Sequence, residues 1–299
     1  MHILIADFDD TITNKDTIAT LAELPYLYKS FSVPWSHFVD TYKQGFDKFP
    51  TSERTLPLLR TADKLKGYET INSANYHNIF GPELAYQKSL RPIELNSIGE
   101  LERQRAFAGI QLTQIQEFAE SRTSLLRKGF LEAWKNCSEL HILSVNWCQQ
   151  FIESLLLAAA SKASLGPFPA IQTTCNSLCV QEGLLTGQFA KTIVTGYDKA
   201  DKLGQICRTC QPDSTLWYVG DSETDLLPIL YPNVNGVLLL DPHENSQKFW
   251  KITNVLGLST KNLQGYADTP GVDTLRIDCK QKGALYLVKS WKAFTKLLR

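Results

Sequence analysis

The sequence has no excess charge of either sign: 31 Lys and Arg stand against 31 Asp and Glu in 299 residues. A formal charge of zero offers no global pull toward nucleic acid or an anionic membrane surface, so neither is expected as a partner. Long hydrophobic runs are missing as well. The stretch from Leu155 to Ala160 falls far short of the ~20 apolar residues that a membrane helix needs. The apolar run at residues 2–6 is too short for a signal sequence and has no basic leader. The expectation is a soluble, cytoplasmic protein. Internal repeats and low-complexity segments are also absent. The cysteines number seven, an odd count spread through a large chain, which favours reduced thiols over a disulfide framework. Cys175, Cys179, Cys207 and Cys210 could be read as a zinc site. The spacing of the first pair is not that of a usual knuckle, and Cys207 falls in helical phase with Leu203 and Ile206, so core packing explains it.

Hydrophobic residues make up 43% of the chain, enough for a substantial core. Short apolar runs at residues 2–6, 141–145, 216–219 and 236–240 end in polar turns, as buried parallel strands do. Helical patterns lie between them, for example Trp147 to Ala160 and Lys199 to Cys210. This alternation predicts an α/β fold with a Rossmann-like parallel sheet and helices on both faces. More than 100 residues separate the first two strands, far more than a crossover needs. Residues 15–125 are therefore expected to form a helical cap inserted into a core made of 1–14 and 126–299, with Ile98 to Arg127 a long helical stretch. A β-excursion with a turn at Gln181-Glu182-Gly183 is expected in 170–190, and a C-terminal helix over Leu285–Leu298.

Two acidic clusters carry the chemistry. Asp7-Phe8-Asp9-Asp10-Thr11-Ile12-Thr13 follows the first strand, and Gly220-Asp221-Ser222-Glu223-Thr224-Asp225 follows a later one. Open α/β sheets bind ligands at such strand ends. Asp7 and Asp9 share a face of an extended segment, and two close carboxylates repel. A divalent cation that prefers hard oxygen ligands, such as magnesium, gives them a purpose. Helix capping explains one Asp at a helix start but not two clusters at two strand ends. Between them lie Ser144, ending a strand before Val145 and Asn146, and Lys199 at the start of a helix. A hydroxyl with free N–H groups makes a phosphate cradle, and an ammonium can neutralise phosphate and carboxylate together.

Taken in order, Asp7-Phe8-Asp9-Asp10-Thr11, Ser144, Lys199 and Gly220–Asp225 resemble the four motifs of the haloacid dehalogenase superfamily. Asp7 to Asp16 and Cys175-Asn176-Ser177-Leu178 are similar to its phosphoserine-phosphatase-like branch. The stretches Ile142–Trp147 and Tyr218–Leu227 look closer to the phosphatase region of plant thiamine-phosphate phosphatases and to a group of fungal homologues. The resemblance implies a magnesium-dependent phosphatase acting on a small phosphorylated metabolite. It makes Asp7 the nucleophile, Asp9 the general acid–base and Lys199 the charge-neutralising lysine, with Lys202 a competing candidate. Thr11, Ser144, Val145 and Asn146 would bind substrate, and Asp7, Asp9 (through its carbonyl), Asp221 and Asp225 would serve Mg2+. A phosphomutase or phosphotransferase would use the same Asp7 chemistry, and a non-catalytic binding protein could keep the fold. The aromatics Tyr26, Tyr28, Phe31, Trp35, Phe38 and Tyr42 are expected to pack the cap or to stack on a substrate ring.

Overall fold

A computed structural model describes residues 1–59, 70–258 and 260–299. Residues 60–69 of the expected cap lie outside the described residues. The strands are β1 (His2–Ala6), β2 (Glu139–Leu143), β3 (Ile171–Thr174), β4 (Ser177–Gln181), β5 (Leu184–Ala190), β6 (Thr215–Gly220), β7 (Asn235–Leu239), β8 (Thr274–Ile277) and β9 (Leu285–Val288). Seven of them form one sheet in the order β3-β2-β1-β6-β7-β9-β8, while β4 and β5 pair separately. Every pairing in the large sheet is parallel except β8 with β9.

The sheet is buried on both faces because its strands carry apolar residues on both. In β1, Leu4 and Ala6 pack with Trp134 and Trp291, whereas Ile3 and Ile5 pack with Tyr218 and Leu285. This is the continuous apolar pattern of a parallel sheet covered by helices. β1 lies between β2 and β6, with Ala6 opposite both Ile142 and Val219. The chain order reverses direction across β1, so a crevice opens at the carboxyl ends of these strands.

Between β1 and β2 run eight α-helices of the described residues, from Ile18–Leu21 to Phe130–Lys135. Among them, Trp35–Lys48 packs against Arg91–Arg103. The two cross closely at Gly45, where an added Cβ would stand 2.9 Å from Ile93 Cγ2. The expected unbroken helical stretch 98–127 is interrupted. Arg105 and Gly109 both adopt positive φ, at 51° and 83°, and a new helix starts behind a capping box formed by Gln111 and Gln114.

The excursion after β3 is the β4–β5 hairpin, with Glu182 and Gly183 in its turn at φ 50° and 78°. It is clasped to the helical segment. Gly109 N donates to Leu185 O at 2.8 Å, Leu185 N to Ile110 O at 2.8 Å and Leu112 N to Gly183 O at 2.9 Å. Glu102 adds an ion pair with Lys191 at 2.7 Å.

Leu285–Leu298 is not one helix. Residues 285–288 form β9, and the helix begins only at Trp291, capped by Ser290 Oγ accepting from Ala293 N at 3.2 Å. A four-residue apolar run gains more as a buried strand beside β7 than as an amphipathic turn, and periodicity could not separate the two. The other expected strands and helices begin and end within three residues of their observed limits.

Candidate active site

The loop after β1 is shaped by backbone hydrogen bonds. Asp7 N still donates to Val219 O at 2.9 Å, so Asp7 stays anchored to the sheet. Phe8 O then accepts from both Ile12 N and Thr13 N, at 2.9 and 3.0 Å, and Asp10 takes φ 55°. The tight turn brings a run of acids to the sheet's edge. Asp7, Asp9, Asp10 and Asp221 all line one cavity of about 560 Å³.

Lys199 lies at the centre of the acids. It is completely buried, with Nζ 2.9 Å from Asp7 Oδ2 and 2.8 Å from Asp225 Oδ1. Lys202 is half-buried and turned elsewhere, so the ammonium among the carboxylates is that of Lys199. The helix Gly196–Thr209 presents it. Asp198 closes a capping box with Thr195, and Arg91 donates to both Asp198 oxygens, at 2.9 and 2.7 Å. Asn176 ties the preceding segment to the β2 loop: its Oδ1 accepts from Thr192 N and Ile193 N, and its Nδ2 donates to Val145 O and Ile193 O.

The two acids of the second cluster differ. Asp221 accepts from Thr11 Oγ1 at 2.8 Å and pairs with Lys248. Burial pushes its carboxyl up to about 6, with Lys248 pulling the other way. Asp225 is fully buried and already accepts from Lys199, Tyr218, Ser222 and the N–H of Asp221. Burial opposes its ionisation, yet Lys199 and these bonds hold it below the ordinary carboxylate value. Gly220 makes that fold-back possible, since a Cβ there would lie 2.4 Å from Asp225 Cγ.

Asp7 is the opposite case. Burial raises its carboxyl well above the usual range, only partly offset by Lys199 and reinforced by Asp225, Asp221 and Asp9. Asp9 is turned away from this cluster and accepts from Thr17 N at 2.6 Å, from Thr17 Oγ1 and from Asn146 Nδ2 at 2.8 Å. Burial lifts Asp9 to about 6 against those bonds. Asp7 and Asp9 thus share the cavity but not a face.

Of the four residues expected to touch substrate, three are fully buried. Thr11 is buried with its hydroxyl on Asp221, Asn146 is buried against Asp9, and Ser144 is buried with Oγ accepting from Asn146 N at 3.2 Å. They brace the acids from behind, while Val145 lines the cavity. For metal, the donor set fits a hard cation. Asp7, Asp221 and Asp225 each bring an oxygen within 4.8 Å of the others, the only such group found among the described residues. Asp225, also expected to serve the metal, accepts from five protein donors, whereas Asp7 and Asp221 line the cavity, paired with Lys199 and Lys248. The four cysteines form no such group.

Lys248, Glu94 and Trp147 line the cavity without having been singled out. Of the six aromatics expected in the cap, Trp35, Phe38 and Tyr42 line it and Tyr26, Tyr28 and Phe31 do not.

No family model matches the sequence. The chain is 38% identical to Cold tolerance protein 1 of Saccharomyces cerevisiae over 99% of its own length and 97% of that protein's. It is 26% identical to a CTO1 family protein of Schizosaccharomyces pombe, over 98% of each. The chain belongs to the CTO1 family. Among solved structures, the CTO1-family fold resembles cytosolic 5'-nucleotidase IIIB bound to cytidine, with a TM-score of 0.50 and 13% identity, over 99% of this chain and 84% of that one. The likeness is one of fold, a largely parallel α/β sheet covered by helices. No helix among the described residues is long and apolar enough to cross a membrane.

Proposed function

We propose that the protein is a magnesium-dependent phosphomonoesterase with Asp7 as nucleophile. The observation that carries this reading is Lys199 Nζ, fully buried between Asp7 and Asp225 at 2.9 and 2.8 Å, at a cavity floor that Asp221 shares. A nucleophilic carboxylate must meet an anionic phosphate, and a fixed ammonium lowers that repulsion without reorganising. Asp7 attacks phosphorus, forming an acyl phosphate as the ester oxygen departs. Asp9, raised to about 6, keeps a proton to higher pH than an ordinary carboxyl, gives it to that oxygen and then takes one from the water that hydrolyses the acyl phosphate. Thr17 and Asn146 fix its carboxyl in place. Bound between Asp7 and Asp221, Mg2+ would shield the phosphate charge.

The substrate reading is a small phosphomonoester with a flat ring, thiamine monophosphate being the first to test. The support is the resemblance around Ser144–Trp147 and Tyr218–Leu227 together with the aromatic wall of Trp35, Phe38, Tyr42 and Trp147. Purified protein should release phosphate from p-nitrophenyl phosphate or thiamine monophosphate with Mg2+, and Asp7→Asn should not. Undiminished turnover by Asp7→Asn, or by wild type in a chelator, would sink the proposal.

A further inference from the structure

The cavity's helical wall is largely apolar, its polar members being Tyr42, Glu94 and Ser97. Trp35, Phe38 and Val39 come from the helix Trp35–Lys48, and Ile98 comes from Arg91–Arg103. Among them stands Glu94, also on Arg91–Arg103. Tyr42 Oη donates to Glu94 Oε1 at 3.0 Å, and no described residue bonds to its other oxygen. Burial pushes the carboxyl up to about 7 against the pull of that hydrogen bond. The one lysine or arginine lining the cavity among the described residues is Lys248, and it is engaged by Asp221 and Asp10.

A half-buried carboxyl without a counter-ion in such a wall costs the fold stability. Core packing alone would be better served by Leu or Met at position 94. Tyr42 is not a counter-ion; it fixes the carboxyl's orientation and leaves one oxygen facing the cavity. The aromatic side chains around it offer flat faces. A ring lying against them would bring its edge to Glu94.

We infer that Glu94, oriented by Tyr42, is the specificity-determining residue of the site. It accepts from a hydrogen-bond donor or cationic nitrogen on the edge of a flat leaving group. This rests on the phosphomonoesterase reading. A hydroxylated sugar or an aliphatic ester would leave the acid unpaired among aromatics, and a site built to hydrogen-bond discriminates strongly against ligands that lack the partner.

The test uses full-length Asp7→Asn protein, so that binding is measured without turnover. Thiamine monophosphate, pyridoxamine phosphate and cytidine monophosphate carry donors on a ring, whereas p-nitrophenyl phosphate carries none. Affinities are compared by calorimetry with Mg2+ present, with and without Glu94→Gln. At least one donor-bearing probe should bind better than p-nitrophenyl phosphate. Glu94→Gln should cut that preference about 10- to 100-fold, the range of a charged hydrogen bond, and Tyr42→Phe should cut it less. The inference is overturned if no donor-bearing probe is preferred, or if Glu94→Gln weakens every probe alike or none. Turnover of p-nitrophenyl phosphate by protein with intact Asp7 reports separately on the phosphomonoesterase reading. Turnover with an unchanged preference removes the role of Glu94 only. No turnover and no binding of any probe removes both.

Discussion

Two nearly isosteric substitutions on either side of Lys199 should have unequal effects on stability. Asp225 accepts five hydrogen bonds, from Lys199 Nζ at 2.8 Å, Tyr218 Oη at 2.7 Å, Ser222 N at 3.1 Å, Ser222 Oγ at 2.7 Å and Asp221 N at 3.3 Å. In Asp225→Asn the amide must turn an N–H group toward one oxygen's partners. Placed at Oδ1 it faces the ammonium; placed at Oδ2 it faces two backbone N–H groups. Either way a fixed donor loses its acceptor, and Lys199 loses a buried counter-ion. Removing one partner of a buried pair typically costs about 3–5 kcal/mol. Asp7 differs because burial and the neighbouring acids oppose its charge. Asparagine there relieves repulsion from Asp221 and Asp225 as it gives up the pairing with Lys199, so Asp7→Asn should cost clearly less than Asp225→Asn. Urea unfolding midpoints at pH 7 in a chelator would measure both. Equal losses, or a larger loss for Asp7→Asn, would refute the assignment of the negative charge to Asp225.

Metal-free protein should lose stability between about pH 4 and 6. Asp221 binds its proton more tightly folded than unfolded, so its contribution is full below the ordinary value of 3.8 and is lost as pH climbs through about 6; a shift of that size corresponds to about 3 kcal/mol. Mg2+ should therefore raise the melting temperature more at pH 7 than at pH 5, and an equal rise at both would contradict the site. Gly220→Ala should displace Asp225 and destabilise by about 1–3 kcal/mol, seen as a lower urea midpoint; an unchanged midpoint means the fold-back is not needed. Lys248→Met should tighten Mg2+ binding in calorimetry, because the ammonium competes for Asp221, and weaker binding would show that it supports the metal instead.

The two acidic loops were legible because carboxylates at the ends of apolar strands have no structural excuse. Lys199 was preferred to Lys202 because it opens a helix, and its ammonium lies between Asp7 and Asp225. Thr11, Ser144 and Asn146 were legible as residues that gather at the site, but not their burial behind the acids, since spacing does not tell which way a hydroxyl points. Glu94 was invisible. A Glu in a helix looks like a solvated face, and only the crossing at Gly45 and Ile93 turns that face into a cavity wall. Lys248 lay beyond every motif and reaches the site from the helix Ser246–Leu256. Residues 285–288 were misread because four apolar residues fit a strand and a helical turn equally well.

The β4–β5 hairpin has a mechanical consequence. The helical segment leaves and rejoins the sheet at nearly one point, where Asn14 N donates to Leu125 O at 2.8 Å and Thr13 pairs with Leu126. A body pinned once can swing in any direction. The hairpin pins the segment a second time through residues 109–112 and the Glu102–Lys191 pair. Further ties run from Leu58 and Leu59 to Val255 and Leu256, from Ile71 to Cys279 and Gln281, and from Arg91 to Asp198, so the segment is fastened along its length and a free swing about one point is closed to it. Cutting the chain in the Glu182–Gly183 turn would leave the sheet whole and remove one of these ties.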